Sequence, residues 1–370
     1  MDADVNTLWA LVAGLLLLLG NVGAIVMLEG LTRRRRVLTV AARHLAGASG
    51  AVIGTVVISQ WSIDGLAITL PIDGSLDPNA QLWVGACSAV LLTTLSMAGM
   101  AERATVLGHM AGGLMFGVLL APLAASARQV DGFLTTIEFG SRGYVDTAAG
   151  SMFVVAGWAA LVGSMIIGPR LGRAGREGGV RQIPGKSMPD AVFGALVLYA
   201  TLIGVLARPG NPWSDDVASG ALVLLLGGAV GTATAAAIGR LLAGHVRVRH
   251  AILGLLAGVI STTGDPLEAT LAEAAVFGVV GAGIAILVTH FLDSADIDDP
   301  VGIFAMCGAA GMWGSLAIGV TNGDQFLAQL VGTLLIGAVV VIVTGLIFGA
   351  LRLLRVFRVR PDIEIAGLDA

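Results

Sequence analysis

Few residues of this chain could do chemistry, and most of them stand at the ends of apolar stretches. Asp146 opens one such stretch, followed by the small residues Ala148, Ala149 and Gly150. A carboxylate there can cap free backbone N–H groups or hold a fixed negative charge that favours a cation. Asp298-Asp299-Pro300 opens another stretch, with Pro expected at the first helical position and acids where a helix dipole favours them. Glu102-Arg103 reads as an ion pair at the end of a span, and Asp265, Glu268 and Glu273 as capping or interfacial groups. His44, His109, His245, His250 and His290 all fall near span ends, which suits an interfacial place better than a proton relay. Cys87 and Cys307 lie within apolar runs, so a disulfide framework is not indicated. No P-loop, paired cysteine spacing or nucleophile–base pattern is present. No cofactor, metal or nucleic-acid partner is expected, and the chain is not expected to be an enzyme.

The elements that carry these groups follow from composition. Of the 370 residues, 56% are hydrophobic and 12% charged, against about 25% charged in a soluble domain. That excludes a water-soluble enzyme, and the apolar fraction excludes a disordered chain. The 53 glycines allow the close helix approach that packing in lipid requires. Stretches of ~20 apolar residues each suffice for one crossing. Eleven are expected, at about 8–28, 38–62, 82–100, 104–125, 146–168, 189–207, 217–243, 250–264, 268–292, 301–320 and 325–357. The eighth is short for a lone span and is expected to be tilted, shielded or only partly traversing. The start, Met1-Asp-Ala-Asp-Val-Asn6, is acidic where a signal peptide needs a basic region, so the first helix is expected to be retained.

Basic residues sort to one side. Arg33 to Arg36, Arg103, Arg170, Arg173, Arg176, Arg181, Lys186, Arg240, Arg247 and Arg249 follow odd-numbered spans, and Arg352, Arg355, Arg358 and Arg360 close the chain. Only Arg128, Arg142 and Arg208 fall on the other side, while Arg43 lies inside the second span. The positive-inside rule then puts the N-terminus outside and the C-terminus in the cytoplasm. An acidic outer loop with Asp64, Asp73 and Asp77 is either simply solvated or a weak funnel for cations. Eleven spans divide as five plus five plus one, the inverted-repeat plan of many transporters. The expected fold is therefore an all-α polytopic membrane protein: a membrane domain over 1–357, with pseudo-repeats at about 8–168 and 189–320 and a last helix at 325–357. A short cytoplasmic tail, 358–370, follows.

Two segments carry a family resemblance. Asp146-Thr-Ala-Ala-Gly150-Ser-Met-Phe153-Val154-Val-Ala-Gly157, continuing to Gly168-Pro169-Arg170, resembles the ammonium transporter (Amt/Mep/Rh) signature Asp-Phe-Ala-Gly-Gly-x-x-x-His and its Gly-x-Arg exit. Asp298-Asp299-Pro300-x-x-x-Phe304-x-x-Cys307-Gly308, with Gly311 and Gly314 beyond, resembles the second signature, Asp-Asp-Pro-x-x-x-Phe-x-x-His-Gly. Glu29-Gly-Leu31 with Arg33, Ala101-Glu102-Arg103, and Arg358 with Gly367-Leu368-Asp369 match further pieces in the family's order. The resemblance implies a homotrimer with a separate narrow pore in each subunit. It also implies a tail that contacts the neighbouring subunit and regulation by a PII-type signal protein.

The departures fall on the pore. The family's two pore histidines are replaced, by Phe153 or Val154 at the first position and by Cys307 at the second. Each imidazole of a pair holds a donor and an acceptor and can pass a proton; Phe and Val cannot, and a thiol is a weak partner. The two stacked gate phenylalanines give way to Ser88 and Val205, and the roofing aromatic has no Trp, leaving Phe133 as a substitute or a membrane-interface anchor. Asp146 is the pore-entry residue that survives intact. Two functions follow as expectations: movement of ammonium or ammonia through a modified pore, or a non-conducting relative acting as a sensor or partner subunit.

Overall fold

The computed structural model describes residues 2–33, 37–59, 77–126, 134, 143–173, 183–206 and 216–366. Phe133, Asp64, Asp73, Arg34 to Arg36, Arg128, Arg142, Arg176, Arg181, Arg208 and Gly367-Leu368-Asp369 lie outside those residues. The helices in chain order are α1 (Asp2–Leu31), α2 (Val37–Ser59), α3 (Pro78–Ala98) and α4, made of Val106–Met115, a π-helical turn Phe116–Leu120 and Ala121–Ser126. Next comes α5, a π-helical turn Ala149–Val154 continued by Val155–Ile167, then α6, Met188–Thr201 closed by a 3₁₀ turn Leu202–Leu206. They are followed by α7 (Asp216–Ala243), α8 (Val248–Ser261), α9 (Leu271–Ser294) and α10, a π-helical turn Phe304–Ala309 continued by Ala310–Thr321. The chain closes with α11 (Phe326–Leu353) and a short α12 (Pro361–Ala366). Ten of these segments are long and apolar enough to cross a membrane, and only α8 among the eleven spans is shorter. Its 14 residues reach about 21 Å at 1.5 Å each, less than the ~30 Å hydrocarbon core.

Local chemistry sets the helix starts. Asp77 accepts hydrogen bonds from the backbone N–H groups of Asn79 and Ala80 to cap α3. Thr105 caps α4 and Ser187 caps α6. Thr270 and Glu273 form a reciprocal capping box on α9, the capping role expected of that glutamate. Two boundaries fall short of expectation. Pro300 lies ahead of α10 rather than on its first turn, because Gly302 takes a left-handed φ of 86° and delays the helix. The last span stops at Leu353 rather than 357, where Arg355 turns the chain with φ 58°.

The packing repeats itself. α2 lies on α3 and α4 as α7 lies on α8 and α9, while α1 meets α6 and the start of α5 meets the start of α10. An odd number of helices per half turns the second half upside down relative to the first. Such packing needs small residues: at Gly194 a Cβ would fall 2.5 Å from the Gly23 carbonyl oxygen of α1. α11 lies along α5 and α10, outside the repeat. Large apolar side chains on the outer faces stay exposed, among them Leu8 and Leu15 on α1, Phe193 on α6 and Leu346 on α11. They form the lipid-facing surface of a multi-pass membrane protein.

Candidate functional site

The two signature segments meet where the π-helical first turns of α5 and α10 pack together. A Cβ on Gly157 would run into the backbone N and Cα of Gly308, and it would also fall 2.9 Å from the carbonyl carbon of Cys307. A Cβ on Gly311 would fall 3.4 Å from Phe153 Cβ and 3.3 Å from Val154 N. Phe153, Val154 and Cys307 therefore share one seam, and all three are buried. Phe304 reaches back along it, its ring 5.3 Å from Trp158 in an edge-to-face contact. Gly314 packs on Ser261, whose carbonyl oxygen would lie 2.7 Å from an added Cβ. The side chains along this seam are mostly apolar, with the Cys307 thiol and the buried Ser151 and Ser261 hydroxyls as its polar groups.

Ser88 and Val205 are also buried but sit on different elements. α3 packs on α1, α2 and α5, while the 3₁₀ end of α6 packs on α1 and α7. The two share α1 as a neighbour.

Asp146 is not on the helix it was expected to open. It lies three residues before α5 and is 3% exposed. Its Oδ1 accepts from the Gly150 N–H at 2.9 Å and its Oδ2 from the Ser151 N–H at 2.8 Å. The non-helical strand of chain beside it is satisfied within the bundle: Thr147 and Ala148 donate their N–H groups to the carbonyls of Gly264 and Thr263. Irregular backbone inside a membrane protein survives only with such partners. Asp299 does the same work for α10, accepting from Gly302, Ile303 and Phe304 N–H at 2.8–3.0 Å.

A polar cluster absent from the expected site secures the Asp146 segment. The Ser315 hydroxyl of α10 lies 2.7 Å from Thr333 Oγ1 and 3.2 Å from Gln329 Oε1, both on α11, and 3.4 Å from the Tyr144 hydroxyl. Gln329 donates its amide to the Val145 carbonyl at 2.7 Å. Gln329 and Thr333 are four residues apart in a largely apolar span, so one helical face carries both; that spacing was the signal available.

At the arginine-rich end, Asp298 gathers three guanidinium groups. Arg170 binds it through Nε at 2.9 Å and Nη2 at 3.1 Å, Arg173 Nη1 approaches to 2.9 Å and Arg103 Nη1 to 3.5 Å. Burial alone would raise the Asp298 pKa, but Arg103, Arg170 and Arg173 hold it well below the usual carboxylate range. Burial lowers Arg103 to about 10. Glu102 and Arg103 do not pair with each other as expected. Glu102 has a left-handed φ of 71°, which sends the neighbouring side chains apart: Glu102 goes to Arg33 and Arg170, Arg103 to Asp298. The tail closes on the same end. Val359 N–H bonds the Arg103 carbonyl, and Arg358 joins the Ile167 and Pro169 carbonyls to Glu364.

Two histidines differ from their expected interfacial place. His44 of α2 and His109 of α4 are buried, their rings edge-to-face at 5.1 Å. His245 and His290 are exposed and His250 half-buried.

The profile of the Ammonium Transporter Family matches residues 8–370. The chain belongs to that family. Among its relatives, the ammonium transporter Amt1 of Haloferax mediterranei is 27% identical, with 99% of this chain and 77% of that protein covered. Amt2 of Archaeoglobus fulgidus is 25% identical over 100% and 87%. In structure the chain is similar to a protein described as Sensor Amt Protein, with a TM-score of 0.88 at 19% identity over 100% of this chain and 98% of that one. It is similar to Mep2 of Candida albicans at 0.81 and 18%, over 96% and 86%. At those identities the structural likeness establishes the ammonium-transporter fold, in which α5 and α10 here hold the seam just described.

Proposed function

We propose that this family member moves neutral ammonia across the cytoplasmic membrane through a pore in each subunit, without the ion and without a histidine proton route. The observation that carries this reading is the seam of Phe153, Val154 and Cys307: buried, apolar but for the thiol, and with no imidazole among its three side chains. An ammonium ion would need its hydration replaced there by protein groups, and the seam offers few side-chain acceptors beyond the Ser151 and Ser261 hydroxyls. In this reading the arginine-rich end faces the cytoplasm and the N-terminus lies outside. The subunits assemble as a homotrimer, and a PII-type regulatory protein would meet the arginine-rich end. Ser88 and Val205 stand in place of the gate aromatics, which weakens recruitment of the cation, and Phe133 is left as a substitute for the roofing ring or a membrane-interface anchor.

A second reading, a non-conducting sensor or partner subunit, is favoured by a specific observation. The signature features that survive are caps and close helix contacts: Asp146, Asp299, Gly157 and Gly308. The structural similarity to the Sensor Amt Protein over its whole length accords with it.

Proteoliposomes given an ammonium jump separate the two. Internal alkalinisation faster than in empty vesicles, with no current, is the expected result. A saturable current would replace ammonia with a charged substrate. Neither signal would overturn transport and leave the sensor reading.

A further inference from the structure

Away from the seam, a small pocket opens at the arginine-rich end between the start of α8, the end of α9 and the chain leading into α10. Its volume is about 40 Å³, room for roughly three waters at 10–15 Å³ each, or one tetrahedral oxyanion. Its polar lining is Arg247, Arg249, His250, Thr289, His290 and Asp293.

Two arginines and one carboxylate line it. Asp293, the single carboxylate lining the pocket, is engaged by Arg173 at 2.7 Å. The neighbouring Asp299 accepts from three backbone amides of α10. Arg249 places its Nη2 on the carbonyls of Pro300 at 2.8 Å and Asp299 at 3.4 Å, and the Asp299, Asp293 and Asp298 carboxylates act on it from nearby. Arg247 is exposed at the rim. The His250 and His290 rings stand edge-to-face at 6.2 Å. His250 Nδ1 is a buried ring nitrogen without a hydrogen-bond partner among the described residues. Two arginines and two imidazoles around a polar cavity present donors to an acceptor-rich anion.

The rim is apolar. Phe291 and Leu287 of α9 and Val248 of α8 are exposed beside the pocket, on helices that face lipid. The pocket thus sits at the boundary between hydrocarbon and water, where basic pockets between spans take phosphate head groups.

We propose that this pocket binds a phosphate-bearing anion, with Arg247 and His290 as rim donors and Arg249 and His250 as its inner wall. The same chemistry is offered by the head group of an anionic phospholipid and by free phosphate, and titration distinguishes them. The whole protein in neutral detergent is titrated with short-chain phosphatidylglycerol, with the matching phosphatidylcholine and with inorganic phosphate, reading the thermal unfolding midpoint. Phosphatidylglycerol is expected to raise the midpoint saturably, and phosphatidylcholine to leave it unmoved. Arg247→Gln and His290→Gln should each weaken the apparent affinity about fivefold. Arg240→Gln, an exposed arginine bonded to the Gly244 carbonyl, should leave it unchanged. Competition by inorganic phosphate assigns the free anion as a ligand; its absence assigns the lipid. Equal responses to both lipids, undiminished affinity in both pocket variants, or no saturable response to either anion would overturn the proposal. Both variants sit at exposed positions, and their unliganded midpoints check that each is folded.

Discussion

Asp146 and Asp299 occupy equivalent places in the two halves of the bundle: each carboxylate accepts from the backbone N–H groups four and five residues further along the chain. Each thereby closes a π-helical first turn, Ala149–Val154 in α5 and Phe304–Ala309 in α10. Because the halves are inverted, the two capped turns enter the bundle from opposite ends and meet at the seam. The symmetry breaks one residue earlier. Asp298 binds three arginines, whereas Val145 offers only its carbonyl to Gln329.

That pairing predicts how Asp146 variants divide. Asp146→Ala loses two charge-assisted caps and should cost about 1–2 kcal/mol of stability, seen as a lower unfolding midpoint in detergent. Asp146→Asn keeps one side-chain acceptor and should recover part of that loss. If Asn matches wild type in stability but removes ammonia-driven alkalinisation, the charge itself serves the pathway. If alkalinisation follows stability through the series, Asp146 acts as a cap.

The sequence showed much of this, and the limits have physical causes. Runs of apolar residues placed all eleven spans because a bilayer tolerates little else at that length. The short eighth span was visible in the same way. The glycines that bring α5 and α10 together, Gly157, Gly308 and Gly311, stood out in the sequence, but the register stayed open between Phe153 and Val154. Partners were not legible. Glu102 and Arg103 are neighbours in sequence, yet a left-handed turn at Glu102 sends them to different groups. Tyr144, Ser315 and Gln329 form one cluster from three distant segments, and no local spacing brings them together.

The glycine contacts themselves can be tested in pairs. Gly157→Ala puts a methyl group into the Gly308 backbone, which cannot rotate aside as a side chain can. Overpacking of this kind costs about 1–3 kcal/mol or more, so a clear fall in midpoint and in yield of folded protein is expected. Gly283→Ala, in the middle of α9 with nothing within 4 Å, should be neutral or stabilising by up to about 1 kcal/mol, the helix-propensity difference. Equal behaviour of the two would contradict the seam.

Asp298 makes a prediction of opposite character, because its partners suffer when it changes. Asp298→Asn leaves Arg103, Arg170 and Arg173 buried around a neutral amide. Removing one member of a buried ionic group costs about 3–5 kcal/mol, more than Asp146→Ala. The pH sign follows from a carboxyl held below its ordinary value. Its contribution is complete above the unfolded value near 4 and is lost only as pH falls toward the depressed folded one. Midpoints of wild type and Asp298→Asn should therefore differ most at neutral pH and converge in strong acid.

His44 should behave unlike any of these. Both its ring nitrogens are buried without a hydrogen-bond partner among the described residues, while His109 places Nδ1 at 3.0 Å from the Thr105 carbonyl. A carbonyl only accepts, so that Nδ1 carries the proton and the His109 tautomer is fixed. An unsatisfied buried polar group costs about 1–3 kcal/mol, and an apolar replacement of similar shape removes that cost. His44→Leu is therefore expected to hold or raise the unfolding midpoint, and His109→Leu, which strips the Thr105 contact, to lower it. Ammonia-driven alkalinisation by His44→Leu should match wild type, since His44 and His109 pair on α2 and the first part of α4, whereas it is the Ala121–Ser126 end of α4 that packs on the turn holding Phe153. A loss of alkalinisation with stability intact would place a working polar group at His44, and the route through the bundle would have to pass beside α2.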